Sequence, residues 1–458
     1  MILVNKMSGL ISIVAATCLL ALSAGNLSAN GDDDGHSPIS TTLYQFPQVY
    51  NNHLQPVVTA VDYHTRMIYL FNYENEKLII IDPASIDGWP GDIPLQHTAV
   101  LPKGNIIYIT SDNTEDHPSY IISLRVNDID WEAGSASLSL ESLLAADSPG
   151  TPAELPFVEP VNDVQNIPNW IVGRGTQIHG PTLLPYSKFL YLSEWTADRM
   201  RVVNLNTNEF VAGVDPIVIP EYTEQTHGVT FNKSGSIGLG TGYFFDNSVI
   251  DVYHPNRKTG ELNVIGQIML GDEERHAAFT HYVYWLDERF ALTATMQFDK
   301  TSLTPSTTEK IIPPSVWLLD TMAGTATKII KHTNDVNEPG VFLSASDLAV
   351  VNGKLYIAEE DTIDYEFGEG GYISVFDITD RYNPRFLKRM KPGNELPNGY
   401  AVAHTISPTP DNRHLIVASW VSGYVLKIDT VTDTVVKAWG PEDGLVSPHG
   451  LYTAGSDR

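Results

Sequence analysis

From residue 45 to the C-terminus one short unit recurs. It is an apolar strand, a turn of Asn, Gly or Asp, a second strand ending in a polar or aromatic residue, a short loop, and a third strand closing near Asp. Residues 57–62, 67–73 and 77–82 make one copy, and further copies run through 98–126, 181–205, 228–253, 282–320, 348–377 and 405–429. Fourth strands fit 135–144, 216–220, 263–270, 326–332, 385–390 and 434–439. Short alternating strands, four to a unit at spacings of about 45 to 80 residues, are what radially arranged four-stranded sheets leave in a sequence. The expected fold is therefore all-β, a β-propeller of about seven four-stranded blades in a single domain over 45–458. Residues 448–452 read as an eighth first strand. They either close the ring against N-terminal residues such as 42–50 or open an eighth blade. The gaps at 144–177 and 297–314 are rich in Pro and Thr and are expected as loops over one face.

The first 29 residues read as an export signal. Lys6 starts it, an apolar run follows from Leu10 to Leu22, and Leu27-Ser28-Ala29 is an acceptable cleavage site. No later stretch approaches the roughly 20 apolar residues of a membrane span, so no membrane insertion is expected and the mature chain should work in the periplasm or outside the cell. Residues 30–44, with Asp32-Asp33-Asp34, read as an acidic flexible tail. The one cysteine, Cys18, lies inside the signal, which leaves the mature chain without disulfide, thiolate ligand or cysteine nucleophile. Fifty-five acidic residues against 28 basic give a net charge of −27. Nucleic acid is thereby excluded as an expected partner, because binding a phosphate backbone needs clustered Lys and Arg.

Fourteen histidines are ordinary for this length, but their placement is not. His53, His97, His179, His227, His404 and His449 each stand at or just before the innermost strand of a unit, and His276 or His281 does so in the fifth. The sixth has Ser344, Ser346 and Asp347 there instead. Gln96-His97-Thr98 matches Ala403-His404-Thr405, and Ile178-His179-Gly180, Thr226-His227-Gly228 and Pro448-His449-Gly450 share His-Gly. Ring symmetry would bring these positions to one mouth of the central channel. Neutral imidazole ligates copper, zinc, iron and nickel. A thiolate-free, exported site makes copper the first expectation and zinc the alternative. Glu194, Glu360 and Asp347 are candidate acids beside the imidazoles, with Asp347 equally readable as a turn residue. Histidines that merely tie neighbouring strands together are the structural alternative.

Residues 189–205 and 414–429, with Phe189-Leu190-Tyr191-Leu192-Ser193 and His414-Leu415-Ile416-Val417-Ala418-Ser419, resemble the repeats of the YVTN-type propeller superfamily. Within it, the histidine pattern resembles the copper-bearing propellers: the copper domain of nitrous oxide reductase, thiocyanate dehydrogenase and, more distantly, methanethiol oxidase of the selenium-binding protein family. The resemblance implies channel-lining copper ligands at His53, His97, His179, His227, His404 and His449. The chain departs from nitrous oxide reductase in having no His-His pair and no second domain with a cysteine-rich copper site.

Three functions fit this reading. The leading one is a copper-dependent oxidoreductase that oxidises a small molecule or anion and passes electrons to an external acceptor. A polysaccharide lyase would use His97 with His117, or a histidine with Tyr186 or Tyr191, and Arg174 against a uronate carboxylate. A non-catalytic binding protein or metal carrier needs only the ring. Lys103 and Arg275 are further cations that would attract an anion. No Gly-x-Ser-x-Gly turn supports serine hydrolysis.

Overall fold

The computed structural model describes residues 54, 56–100, 105–147, 178–194, 199–218, 226–242, 249–271, 276–277, 280–296, 311–360 and 370–454. Consecutive strands build antiparallel sheets, each beginning with its innermost strand. Blade 2 is Leu95–Val100, Ile106–Ser111, Tyr120–Asp130 and Ser135–Ala145. Blade 3 is Ile178–Leu183, Phe189–Glu194, Arg199–Asn204 and Glu209–Phe210, with Ile217–Val218 added beside its third strand. Blades 4, 5, 6 and 7 start at Thr226–Phe231, Thr280–Trp285, Ser344–Val351 and Ala403–Pro408.

Blade 1 is completed from the far end of the chain. Pro448–Thr453 is its innermost strand, antiparallel to Val57–Asp62, followed outward by Ile68–Asn72 and Leu78–Ile81. The count is therefore seven, and Val57–Asp62 is a second strand, not the innermost one that its position in the chain suggested. Residues 42–50 lie outside the described residues. The seven innermost strands touch one another in sequence around a closed ring.

Burial explains the strand composition. Innermost and second strands such as Ala403–Pro408 and Val57–Asp62 are buried along their whole length, their polar residues His404, Thr405, Ser407, Thr59 and Asp62 included. Outer strands such as Thr434–Trp439 alternate between exposed and covered residues. The Asp or Asn at the end of third strands has a local role. Asp429 accepts the amides of Val431 and Thr432, both at 2.9 Å, and Asn72 those of Glu74 and Asn75 at 2.9 and 3.0 Å, making the turn into the fourth strand.

Ring closure depends on Asp62. Its fully buried carboxylate accepts from the Tyr69 hydroxyl at 2.6 Å, from the Thr65 amide at 2.6 Å and from the Ser447 amide at 2.6 Å. The last of these ties the chain's two ends across 385 residues.

Candidate functional site: a ring of six imidazoles

Every innermost strand carries a β-bulge at the same place. The register shifts between Leu95 and Thr98, His179 and Thr182, Thr226 and Gly228, Thr280 and Val283, Ala345 and Asp347, and Ala403 and Thr405. In blade 1 it shifts where His449 and Tyr452 face Val61 and Thr59. A bulge re-aims a side chain that regular pleating would point into the blade. The bulged residues include His97, His281 and His404, while His179 and His449 sit at the bulge's edge.

Hydroxyls lock the bulges between blades. Ser193 donates to the His227 carbonyl at 2.5 Å, Thr241 to that of His281 at 2.9 Å, and Ser346 to those of Ala403 and His404 at 2.8 and 3.1 Å. The His-Gly pairs follow from the same crowding. Gly180 and Gly450 have φ of +50° and +59°. A Cβ on Gly450 would fall on the His97 Cα and the Gln96 carbonyl.

Six imidazoles thus form a closed circuit. Ring centroids are 4.8 Å apart from His97 to His179, 5.0 Å to His227, 4.2 Å to His281, 4.9 Å to His404, 5.0 Å to His449, and 4.8 Å back to His97. All six are buried, with between 1% and 8% of their surface exposed. Blade 6 contributes no imidazole, and His281 touches His404 across it. It sends Glu360 instead, whose carboxylate lies 2.9 Å from His404 Nδ1.

Hydrogen bonds assign the tautomers. His449 Nδ1 donates to the Gln96 carbonyl at 2.7 Å and His227 Nδ1 to the His281 carbonyl at 3.1 Å, so both keep their lone pair on Nε2. His227 Nε2 must then accept the 3.1 Å bond from His179 Nδ1, which puts the His179 lone pair on Nε2 as well. Glu360 draws the His404 proton to Nδ1 in the same way. Four of the six rings share one orientation of proton and lone pair.

Burial, reinforced by the neighbouring imidazoles, pushes His97, His179, His227 and His281 well below the usual histidine range. Burial and His404 lower His449 to about 3, although its bond to Gln96 acts in the opposite sense. Cations packed this closely in an apolar wall repel one another, so these rings stay neutral, which is the ligating form.

Among the described residues no group of three or more His, Cys, Asp or Glu is arranged as the ligand set of a metal ion. Three neighbouring pairs meet edge to face, His404 and His449 stack, and His179 and His227 bond directly. Their chemistry nonetheless fits a metal: neutral imidazoles, Nδ1 protons fixed by carbonyl or carboxylate, and a buried His97 Nε2 without a hydrogen-bond partner among the described residues.

The remaining expected residues go elsewhere, or lie outside the described residues, as His53, Lys103, Arg174 and Arg275 do. His276 sits in a two-residue parallel bridge with residues 311–312, and His281 is the ring member. Asp347 accepts the Leu348 amide at 2.8 Å and the Ile406 amide at 2.9 Å, stitching blade 6 to blade 7. Glu194 is fully buried and paired with Arg199, with Arg201 at 3.8 Å. Glu359 accepts the Phe342 and Leu343 amides. Tyr191 donates to the Gly260 carbonyl at 2.9 Å, Tyr186 lies under Arg257, and the His117 amide bonds the Thr114 hydroxyl.

Aromatic neighbours of the ring were not picked out by sequence. Tyr282 lies 4.6 Å from His281 and 5.1 Å from His227. Trp420 lies 5.9 Å from His404 and 5.7 Å from His449, and Tyr63 6.5 Å from His449. Tyr282 follows His281 inside a bulge, and that adjacency was the available signal.

No family model matches the chain, and neither does any curated protein. Among solved structures it is similar to a functionally unknown protein from Desulfotomaculum acetoxidans at 13% identity, over 87% of this chain and 98% of that one, with a TM-score of 0.56. A hypothetical selenium-binding protein from Sulfolobus tokodaii aligns at 11% identity over 87% and 94%, with a TM-score of 0.53. A Lactobacillus plantarum protein aligns at 11% over 86% and 98%, with a TM-score of 0.56. The likeness is one of fold alone. This seven-bladed propeller shares its architecture with them, and its imidazole ring has to be judged on its own chemistry.

Proposed function

We propose that the propeller is an exported copper-dependent oxidoreductase that acts on a small sulfur- or nitrogen-containing anion at the mouth of its channel. The observation that carries this reading is the closed circuit of six buried imidazoles, five of them held neutral by burial. His179, His404 and His449 would hold the metal through Nε2, with His97 as a fourth donor, while His227 accepts the His179 Nδ1 proton and His281 completes the circuit. Copper held there would supply Lewis acidity and one-electron redox steps. The Gln96 carbonyl, His227 Nε2 and Glu360 fix the direction of three donors, His449, His179 and His404, in advance. A cation in the ring would also offset the repulsion that a net charge of −27 imposes on an anion. Oxidation with water as the oxygen source releases two electrons and two protons per anion, the electrons passing to an external acceptor. Zinc in the same ring would leave a hydrolytic or carrier function instead.

Protein produced with copper and zinc both supplied is expected to retain copper and to show a histidine-type paramagnetic resonance spectrum. His404→Ala combined with His449→Ala is expected to remove most of it. Full metal retention in that double variant, or a wild-type protein that takes up neither metal, overturns the reading.

A further inference from the structure

The segment that enters blade 7 from the blade without a histidine has an unusual backbone. Val402, two residues before His404, is fully buried and has φ of +52°. A β-branched residue in the left-handed region is a backbone outlier, because its Cβ crowds the carbonyl, and such a conformation persists only where surrounding contacts impose it.

Those contacts come from two sides. The Val402 amide donates to the Gly370 carbonyl at 2.7 Å. A Cβ on Gly371 would overlap the Ala401 and Val402 backbone, so only glycine lets blade 6 approach this closely. From blade 7 itself, Ser422 donates to the Ala401 carbonyl at 3.1 Å and accepts the Ala401 amide at 3.0 Å, and Ser419 bonds the same carbonyl. Gly371 is the cross-strand partner of Glu360, and Glu360 is the carboxylate on His404 Nδ1. One pair of adjacent positions in blade 6 thus grips the backbone that leads into His404 and also the imidazole itself.

The geometry points to blade 6 as a positioning clamp, in which Glu360 and the strained Val402 together fix the tautomer and direction of His404. The other ring histidines lack this arrangement in the described contacts. His449 and His227 donate Nδ1 to a backbone carbonyl, not to a carboxylate, and the glycines beside His179 and His449 take positive φ without strain. Neither Glu360 nor Val402 touches substrate in this scheme. Both are positioning residues acting through His404. The inference rests on the copper reading only where metal affinity is concerned, since the clamp also orders His404 in metal-free protein.

The test uses the full chain in two states. In metal-free protein labelled with nitrogen-15 at histidine, the His404 signal is identified by its loss in His404→Gln. It is expected as a single Nδ1-protonated species. Glu360→Leu should convert it to a mixture of tautomers, Val402→Gly should broaden or split it, and Glu360→Gln, which keeps an acceptor oxygen, should restore the single species. In copper competition titrations, Glu360→Leu should weaken binding by roughly tenfold or more, the scale of a lost orienting partner, with Val402→Gly falling between it and wild type. Circular dichroism checks that each variant is folded.

A folded Glu360→Leu and a folded Val402→Gly that both leave the His404 signal unchanged overturn the clamp, whatever the metal does. If wild type binds no copper while the His404 signal responds as stated, the clamp stands and the copper reading fails.

Discussion

At the scale of the residue, neutrality of the imidazoles sets the protein's behaviour in acid. His97, His179, His227, His281 and His449 have folded pKa values depressed below the ordinary 6.5, His449 to about 3. Above pH 6.5 these groups are neutral in both folded and unfolded chains and contribute no pH dependence. Below it the unfolded chain binds protons that the folded one refuses, so stability falls as pH falls, levelling off only below the folded value. Each such histidine costs about 1.4 kcal/mol per pH unit in that window. Denaturant unfolding between pH 7 and pH 5 should show a steep loss, and His281→Gln should make it shallower. An unchanged slope in that variant would mean that His281 takes up a proton in the folded state.

At the scale of the element, the bulge and its glycine decide where an imidazole points. Gly450 and Gly134 both have positive φ, at +59° and +65°, but only Gly450 has a neighbouring strand within reach of an added Cβ. Gly134→Ala should cost about 1 kcal/mol from the backbone alone. Gly450→Ala should cost about 3 kcal/mol or more, because His97 and Gln96 must also move. Urea midpoints measure both, and equal costs would show that the blade 1 to blade 2 seam is loose. The recurring unit and the His-Gly pairs were legible in the sequence because strand periodicity and turn residues are local signals. The bulges were not. A bulge is defined by the partner strand's register, and the sequence of one strand does not carry that.

At the scale of the whole molecule, closure of the ring couples the termini. Asp62→Ala removes the acceptor shared by Tyr69, Thr65 and Ser447 and should cost about 3 kcal/mol. Ending the chain at residue 446 removes the innermost strand of blade 1 together with His449. The truncated protein should lose the single cooperative unfolding transition, which calorimetry would show as a broadened or split endotherm. A sharp transition at the wild-type temperature would mean that blades 2 to 7 do not need closure.

Local chemistry in the sequence determined the repeat, the all-β class, the thiol-free interior and the histidines as the residues to watch, because each is written in neighbouring positions. Only the tertiary structure decided the rest. It placed residues 448–453 inside blade 1, the blade to which His449 belongs, and made Val57–Asp62 a second strand. It also chose His281 over His276, and set Glu360 on His404 while sending Glu194 to its arginines and Asp347 to backbone amides. Those outcomes depend on which strand lies beside which around a closed ring, and such long-range pairing is fixed by how seven sheets pack, not by any one segment.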